Sequence, residues 1–239
     1  MPGHSIQSSV RSENVYLFIP NIIGFSRIIL AFVSLYYMPF HPKYCTITYS
    51  ISCLLDAFDG WAARKFHQST KFGAVLDMVT DRCTTGCLLC FLSAAYPAYT
   101  FVFQLLVTLD LASHYIHMYS TLNQGVTSHK KIPADQAWIL RLYYGNNVVL
   151  FLFCAFNELF FVALYLLHFP PRADSPPFFG RHWNIDFSWP MAIALVSAGP
   201  CFIKQWISLV QLINASNALV ELDVEERAEA RRLAGGKKQ

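Results

Sequence analysis

Residues 54–85 read LLDAFDGWAARKFHQSTKFGAVLDMVTDRCTT, the stretch of the chain with the most informative spacing of charged residues. It holds four aspartates in two pairs, Asp56 with Asp59 and Asp77 with Asp81, within apolar surroundings. Spacings of three and four place each pair on one face of an α-helix. The pairs lie at similar distances from the polar connection between them, about 12–18 Å at roughly 1.5 Å per residue. An antiparallel helical hairpin would therefore bring the carboxylates together in two levels.

Small residues flank the aspartates. Gly60, Ala63 and Gly73 have little or no side chain, and we expect them to let the two helix backbones approach. The three cysteines Cys83, Cys87 and Cys90 share one helical face further along, where we expect small core residues, since a free cysteine packs as a small hydrophobe.

The composition indicates a membrane protein. Of the 239 residues 54% are hydrophobic and 14% are charged, and the mean hydropathy is +0.36, which is too apolar for a soluble domain of this length. The net charge of +3 gives no indication of nucleic acid as a partner. Hydropathy predicts an all-α polytopic protein with six transmembrane helices, at about 20–38, 45–66, 70–95, 98–120, 143–168 and 188–213. We expect one domain over 14–215, a disordered N-terminal tail over 1–13 and a charged cytoplasmic tail over 216–239 that is helical over 217–236.

Four carboxylates at membrane depth need cations. A single charged side chain there costs about 2.5–3.5 kcal/mol on insertion scales, and four also repel one another. An all-oxygen ligand set suits Mg²⁺ or Mn²⁺, and two ions could share the four groups and promote displacement at phosphorus. The alternative is a structural ion network with Arg64, Lys71 and Arg82.

The motif itself is specific. Asp56-x-x-Asp59-Gly60-x-x-Ala63-Arg64, eight residues, then Gly73-x-x-x-Asp77-x-x-x-Asp81 resembles the signature of the CDP-alcohol phosphatidyltransferase family at each of its eight specified residues. The neighbouring segments LLDAFDG and FGAVLDMVTDR are similar to the eukaryotic members that act on inositol. The resemblance extends from about residue 14 to about residue 215, and Pro20 and Asn21 resemble the start of the family's first helix.

The resemblance implies transfer of a phosphatidyl group from CDP-diacylglycerol to myo-inositol, which yields phosphatidylinositol and CMP. Asp56, Asp59 and Asp77 would hold two divalent ions, and Asp81 would also touch one and take the alcohol proton. It further implies a homodimer in the endoplasmic reticulum membrane. The residues expected to contact CDP-diacylglycerol are Asn21, Arg27, Gly60, Arg64 and Gly73. For Arg27 the alternatives are the carboxylate cluster, the substrate diphosphate or a structural pairing; for Arg64, a bidentate phosphate contact or an interfacial position.

A second polar face lies in the fourth span. Asp110, Ser113, His114 and His117 recur at helical spacing, and we expect them to form part of the inositol pocket, since a polyol needs many donors and acceptors. A third metal site and ordinary interhelical hydrogen bonding are the alternatives. Lys130 and Arg141 are also expected to contact inositol: Arg141 could reach the active-site mouth, and a solvated loop is the alternative for Lys130. Lys204, within the last span, is either functional or structurally paired.

The basic residues predict the orientation. With six spans, twelve lysines and arginines fall on the side of the two termini and only Lys43, Arg172 and Arg181 on the other. The positive-inside rule then places both termini and the active site in the cytoplasm.

Three rival functions remain. Another member of the same family would use serine, glycerol phosphate, choline or ethanolamine, because the signature reads the shared diphosphate. A divalent-cation transporter would also place carboxylates in a membrane. A catalytically silent scaffold is disfavoured because every signature position is retained.

Overall fold

A computed structural model of the chain describes residues 13–123, 146–169 and 189–236. Within these ranges the regular secondary structure is helical. Short 3-10 helices at Val15–Leu17 and Pro97–Tyr99 accompany the longer helices. The latter are α1 (Ile19–Tyr37), α2 (Pro42–Lys65), α3 (Lys71–Ala95), α4 (Thr100–Asn123), α5 (Asn147–His168) and α6 (Trp189–Gly236).

Several of these helices can cross a membrane by length and composition. Three segments qualify by themselves, Ile19–Tyr37, Val148–His168 and Trp189–Ala234, and a fourth does so if Lys71–Ala95 and Pro97–Asn123 are counted as one broken span. Helix α2 is not among the described helices that meet this criterion for a membrane span. It carries two aspartates and three basic residues. The chain is thus an all-helical protein with several apolar spans, and the number six stays a prediction.

The chain divides into two compact units, with the boundary between Phe91 and Leu92. In the first unit α1 packs along α2. Its buried residues Pro20, Gly24, Arg27, Ala31 and Ser34 recur every three or four positions, as expected of one helix face. Most of them are small, which allows close contact between the helices.

The turn between α2 and α3 is a well-formed helix cap. His67 N–H donates to the Arg64 carbonyl and Gln68 N–H donates to the Ala63 carbonyl at 3.0 Å, the two bonds of a Schellman motif. His67 has a φ of 54°, the left-handed conformation that this motif requires and that glycine usually supplies. Thr70 Oγ1 then accepts from Gly73 N at 3.0 Å and caps the start of α3. The predicted turn between the two aspartate-bearing helices is confirmed.

The second unit is built on α6, which packs against both α4 and α5. Ile207 is buried against Leu150 and Phe153. Asn157 is 2% exposed, and its Oδ1 accepts from Gln205 Nε2 at 2.7 Å, which ties α5 to α6. Helix α6 continues without interruption from the apolar segment to Gly236, so the charged tail is helical as predicted.

One packing prediction is wrong. Cys83, Cys87 and Cys90 are all exposed on α3 rather than buried in a core. Their shared helical face points away from the apolar residues Leu88 and Leu89, which are 1% exposed. Spacing identified the shared face but could not tell the core side of a helix from its outer side, because both sides of a membrane helix are apolar.

Candidate active site

The four aspartates converge on the guanidinium of Arg27. Arg27 Nη1 lies 2.6 Å from Asp59 Oδ2 and 2.6 Å from Asp77 Oδ1, while Nη2 lies 2.7 Å from Asp56 Oδ1 and 2.5 Å from Asp81 Oδ1. Nη1 therefore contacts the two aspartates nearer the turn, and Nη2 contacts the two farther from it. The two-level pairing expected from the spacing in the sequence is confirmed by these contacts.

The cluster is closed on one side and open on the other. The Arg27 side chain is 2% exposed and that of Asp59 10%, whereas those of Asp56, Asp77 and Asp81 are 34–45% exposed. Arg27 is fixed further by packing of its own helix, since its carbonyl accepts from Ser52 Oγ at 3.2 Å. A ligand that reaches the site thus meets carboxylate oxygens first.

Among the described residues, three of these carboxylates form a set suited to a metal ion. One oxygen each from Asp56, Asp59 and Asp77 lies within 4.8 Å of the others. Oxygen donors in such a group favour hard divalent cations. Arg27 carries one positive charge against four negative ones, and its guanidinium already lies among the same oxygens. The residues present therefore fit a cation site in both charge and donor chemistry.

The ion network predicted as the alternative has a different composition. Arg64 and Lys71 are both exposed, and Arg82 Nη2 is 3.4 Å from Asp81 Oδ2. The basic residue that contacts all four aspartates is Arg27, from α1. Of the alternatives predicted for Arg27, the structure shows the one in which it faces the carboxylate cluster.

A cavity of about 160 Å³ adjoins the cluster. It lies between α1, the paired helices α2 and α3, and the turn that joins them. Asp59 and Asp77 form its acidic wall. Three of the residues predicted to contact CDP-diacylglycerol also line it, namely Asn21, Gly60 and Gly73.

Position 73 has no room for a side chain, because Asn21 occupies the space beside Gly73. A Cβ on Gly73 would lie 2.7 Å from Asn21 Oδ1 and 3.1 Å from Thr70 Oγ1. A Cβ on Gly60 would meet only the Arg64 guanidinium, at 3.6 Å. The close approach at Gly73 is thus to a side chain of α1 and not, as predicted, to the backbone of α2, while Gly60 lines the cavity.

The polar face of α4 lies in the second unit. Asp110 and Ser113 are buried, at 5% and 0% exposure. Asp110 Oδ1 accepts from Lys204 Nζ at 3.1 Å, and the hydroxyl of Ser113 donates to the Asp110 carbonyl at 3.1 Å. His114 is half-buried and His117 is exposed. Of the two alternatives for Lys204, the structure shows a pairing with Asp110.

The imidazole of His114 is held by its own helix. Its Nδ1 lies 2.8 Å from the Asp110 carbonyl oxygen, which can only accept. Nδ1 therefore carries the proton, and Nε2 of the neutral ring is an acceptor. Lys130 and Arg141, also predicted near the acceptor, lie outside the described residues.

Sequence reasoning missed one cavity residue with a clear contact. Gln68 lines the cavity, and its Oε1 accepts from the backbone N–H of Ile19 at 3.0 Å. The two residues are 49 positions apart, and a glutamine in a polar turn is usually solvated. Only its place within the signature spacing could have drawn attention to it.

These features define an all-helical protein with several apolar spans and a carboxylate cluster suited to divalent cations. The chain belongs to the CDP-alcohol phosphatidyltransferase family, whose model matches residues 17–169.

The chain is similar over most of its length to curated relatives that carry the name CDP-diacylglycerol–inositol 3-phosphatidyltransferase. The relative from Schizosaccharomyces pombe is 59% identical over 93% of this chain and 97% of its own length. That from Homo sapiens is 43% identical over 90% and 97%, and that from Saccharomyces cerevisiae is 43% identical over 96% and 98%. No solved structure matches the chain.

Proposed function

We propose that the chain transfers the phosphatidyl group of CDP-diacylglycerol to myo-inositol and releases CMP. The observation that carries this proposal is the convergence of the four signature aspartates beside a cavity, in a chain 43–59% identical to relatives named for this reaction. The bond that forms joins an inositol oxygen to the lipid-side phosphorus, and the bond that breaks joins that phosphorus to the oxygen of the leaving CMP.

The residues of the site have separate tasks. Asp56, Asp59 and Asp77 would hold two divalent ions, Mg²⁺ or Mn²⁺. This is supported by one carboxylate oxygen from each residue, since the three oxygens lie within 4.8 Å of one another. When bound, such ions neutralise charge on the diphosphate and on the leaving CMP. Arg27 orients the carboxylates, because its two nitrogens contact both levels of the cluster.

Asp81 acts as the base that takes the proton of the inositol hydroxyl. It contacts Arg27. Among the described residues, it is not part of the group of three carboxylates suited to a metal ion, Asp56, Asp59 and Asp77. Its carboxylate is 34% exposed, so an acceptor alcohol has access to it. A positioned base of this kind typically contributes about 10²–10⁴-fold to the rate.

The nucleotide end of the lipid occupies the cavity lined by Asn21, Gly60 and Gly73. The contact of Arg64 with phosphate rests on its place in the signature, since its guanidinium is exposed beside Gly60. The acceptor pocket includes His114, whose Nε2 can accept from a hydroxyl, together with His117, Asp110 and Ser113. Lys130 and Arg141 belong to the same proposal on sequence grounds.

The remaining proposals concern the whole protein. A bundle of six transmembrane helices over 14–215, an endoplasmic reticulum location, cytoplasmic termini and a homodimer follow from hydropathy, basic residues and family resemblance. Helices α1, α5 and α6 supply three of the spans. Labelling of single cysteines in the tail after Ala215 tests the orientation: modification from the lumenal side would contradict it.

One assay separates the candidate reactions. Purified protein in nanodiscs is given CDP-diacylglycerol with inositol, serine, glycerol phosphate, choline or ethanolamine, and CMP release is followed with Mg²⁺, Mn²⁺ or EDTA. Metal-dependent CMP release with inositol alone is expected. CMP release with another alcohol would show that this alcohol is the acceptor. Metal flux in sealed vesicles without CMP release would show that the protein is a transporter.

A further inference from the structure

We propose that Gln68 is a positioning residue for the nucleotide end of CDP-diacylglycerol. Its side chain connects the α2–α3 turn to the first residue of α1 and so fixes two walls of the cavity relative to each other. This inference rests on the proposed function for its effect on catalysis, although the contact itself is a property of the fold.

The contact satisfies a backbone group that α1 cannot satisfy alone. The first N–H groups of a helix have no partner inside it. Phe18, the N-cap residue of α1, makes no side-chain cap bond, and Pro20 has no N–H to satisfy. Gln68 Oε1 accepts from Ile19 N–H at 3.0 Å. It thereby caps α1, although it belongs to the turn between two other helices.

Gln68 itself is held by a rigid turn. Its N–H closes the Schellman motif on the Ala63 carbonyl, and the next residue, Ser69, donates to the same carbonyl at 3.4 Å. The direction of the Gln68 side chain is therefore set by the end of α2. A change in its terminal atoms alters the contact with Ile19 and leaves the backbone bonds of the turn in place.

The segment that Gln68 holds belongs to the cavity. Pro20 and Asn21 follow Ile19 directly and both line the cavity opposite Gly73. Asn21 Nδ2 donates to the Val15 carbonyl at 2.6 Å, and the ring of Tyr16 meets that of Phe72 edge-on at 5.0 Å. Without the Gln68 contact, the start of α1 would keep the ring contact of Tyr16 with Phe72 of α3 but lose its hydrogen bond to the turn.

The consequence is specific to one substrate. A looser wall weakens binding of the nucleotide lipid in the ground state and the transition state alike, which raises KM and leaves kcat unchanged. The KM for inositol should not change. The expected rise for CDP-diacylglycerol is about three- to tenfold, as for the loss of one hydrogen bond.

Two substitutions of nearly equal size test this. Gln68→Met removes the acceptor oxygen and Gln68→Glu retains one. Gln104→Met, at an exposed position of α4, is the matched control. Gln68→Met should raise the KM for CDP-diacylglycerol, whereas Gln68→Glu and the control should stay closer to wild type.

If Gln68→Met raises the KM for inositol as much as that for CDP-diacylglycerol, the effect is not confined to the nucleotide end and the positioning role is overturned. An unchanged KM in Gln68→Met overturns it as well. Hydrogen–deuterium exchange of the peptide that contains Ile19 decides without substrate: protection should fall in Gln68→Met and persist in Gln68→Glu. If wild-type protein releases no CMP, the proposed function fails, while the exchange result still tests the contact.

Discussion

Lys204 Nζ lies 3.1 Å from Asp110 Oδ1, and both side chains are buried where α6 packs against α4. Removal of one partner from a buried ion pair leaves an uncompensated charge, which typically costs about 3–5 kcal/mol. We expect Lys204→Met and Asp110→Leu each to lower the thermal unfolding midpoint in detergent strongly. The double variant should recover much of the loss, because two apolar side chains replace both charges.

The exposed Glu226 near the end of α6 provides a control, as Glu226→Gln should leave the midpoint unchanged. A double variant as unstable as the sum of the two single variants would show that the charges act independently, contrary to the observed contact.

Gly73 and Gly86 lie on the same helix and are expected to respond in opposite ways. A Cβ at Gly73 would lie 2.7 Å from Asn21 Oδ1, and Asn21 cannot retreat easily because its Nδ2 is bonded to the Val15 carbonyl. Gly73→Ala should therefore cost about 1–3 kcal/mol of stability, as overpacking does, and raise the KM for CDP-diacylglycerol.

A Cβ at Gly86 would meet nothing within 4 Å. Gly86→Ala should be neutral or should stabilise the protein by up to about 1 kcal/mol through helix propensity. Thermal unfolding of both variants under one set of conditions makes the comparison. Equal effects would mean that the space around Gly73 is not limiting.

His67 tests the cap of α2. Its φ of 54° is unfavourable for a residue with a Cβ, and its side chain is exposed, so little packing would be lost on substitution. His67→Gly should raise the free energy of unfolding by up to about 1 kcal/mol. His67→Val should lower it, because β-branched residues disfavour this conformation. A glycine variant less stable than wild type would show that the imidazole makes a contact of its own.

The sequence was most informative where chemistry and periodicity coincide. Asp56, Asp59, Asp77 and Asp81 could be paired in two levels because helix geometry converts spacing into faces and a polar turn marks the point of reversal. Arg27 could be connected with them because an isolated cation in an apolar span needs a partner. Both arguments use the high cost of charge in a membrane, which leaves few acceptable arrangements.

Long-range contacts of neutral groups were not accessible in this way. Nothing in the sequence relates Gln68 to Ile19, since a neutral side chain has many acceptable partners. The exposure of Cys83 was misjudged for a related reason, because the outer face of a membrane helix is as apolar as its packed face. The pairing of Asp110 with Lys204 needed the packing of α4 on α6, which hydropathy does not give.

A substitution at His114 should distinguish binding of inositol from binding of CDP-diacylglycerol. Its ring is oriented by the Asp110 carbonyl at 2.8 Å, which leaves Nε2 as the acceptor of the neutral form. His114→Ala should raise the KM for inositol and leave that for CDP-diacylglycerol near wild type. Ser113→Ala should have a smaller effect, because that hydroxyl is 0% exposed and bonds to its own helix. Equal changes in both KM values for His114→Ala would refute the pocket assignment.

The four aspartates should differ in what their loss removes. Asp56 and Asp77 belong to the triad whose oxygens lie within 4.8 Å of one another, so Asp56→Asn and Asp77→Asn should lose metal-dependent binding of CDP-diacylglycerol together with turnover. Asp81 contacts Arg27 from outside that triad. Asp81→Asn should lose about 10²–10⁴-fold in turnover, the usual contribution of a general base, and still bind the lipid in the presence of metal.

Binding titrations of CDP-diacylglycerol against Mg²⁺ or Mn²⁺ decide between these roles, with turnover measured on the same preparations. Each asparagine variant also loses one charge beside Arg27, whose nitrogens lie 2.5–2.7 Å from all four carboxylates. Thermal unfolding in the absence of metal therefore serves as the control, because the loss of a contact with Arg27 should affect Asp81→Asn and Asp77→Asn to a similar degree. If Asp81→Asn unfolds like Asp77→Asn and loses metal-dependent binding as severely, Asp81 is primarily a metal ligand, and the proton of inositol must be taken by another group.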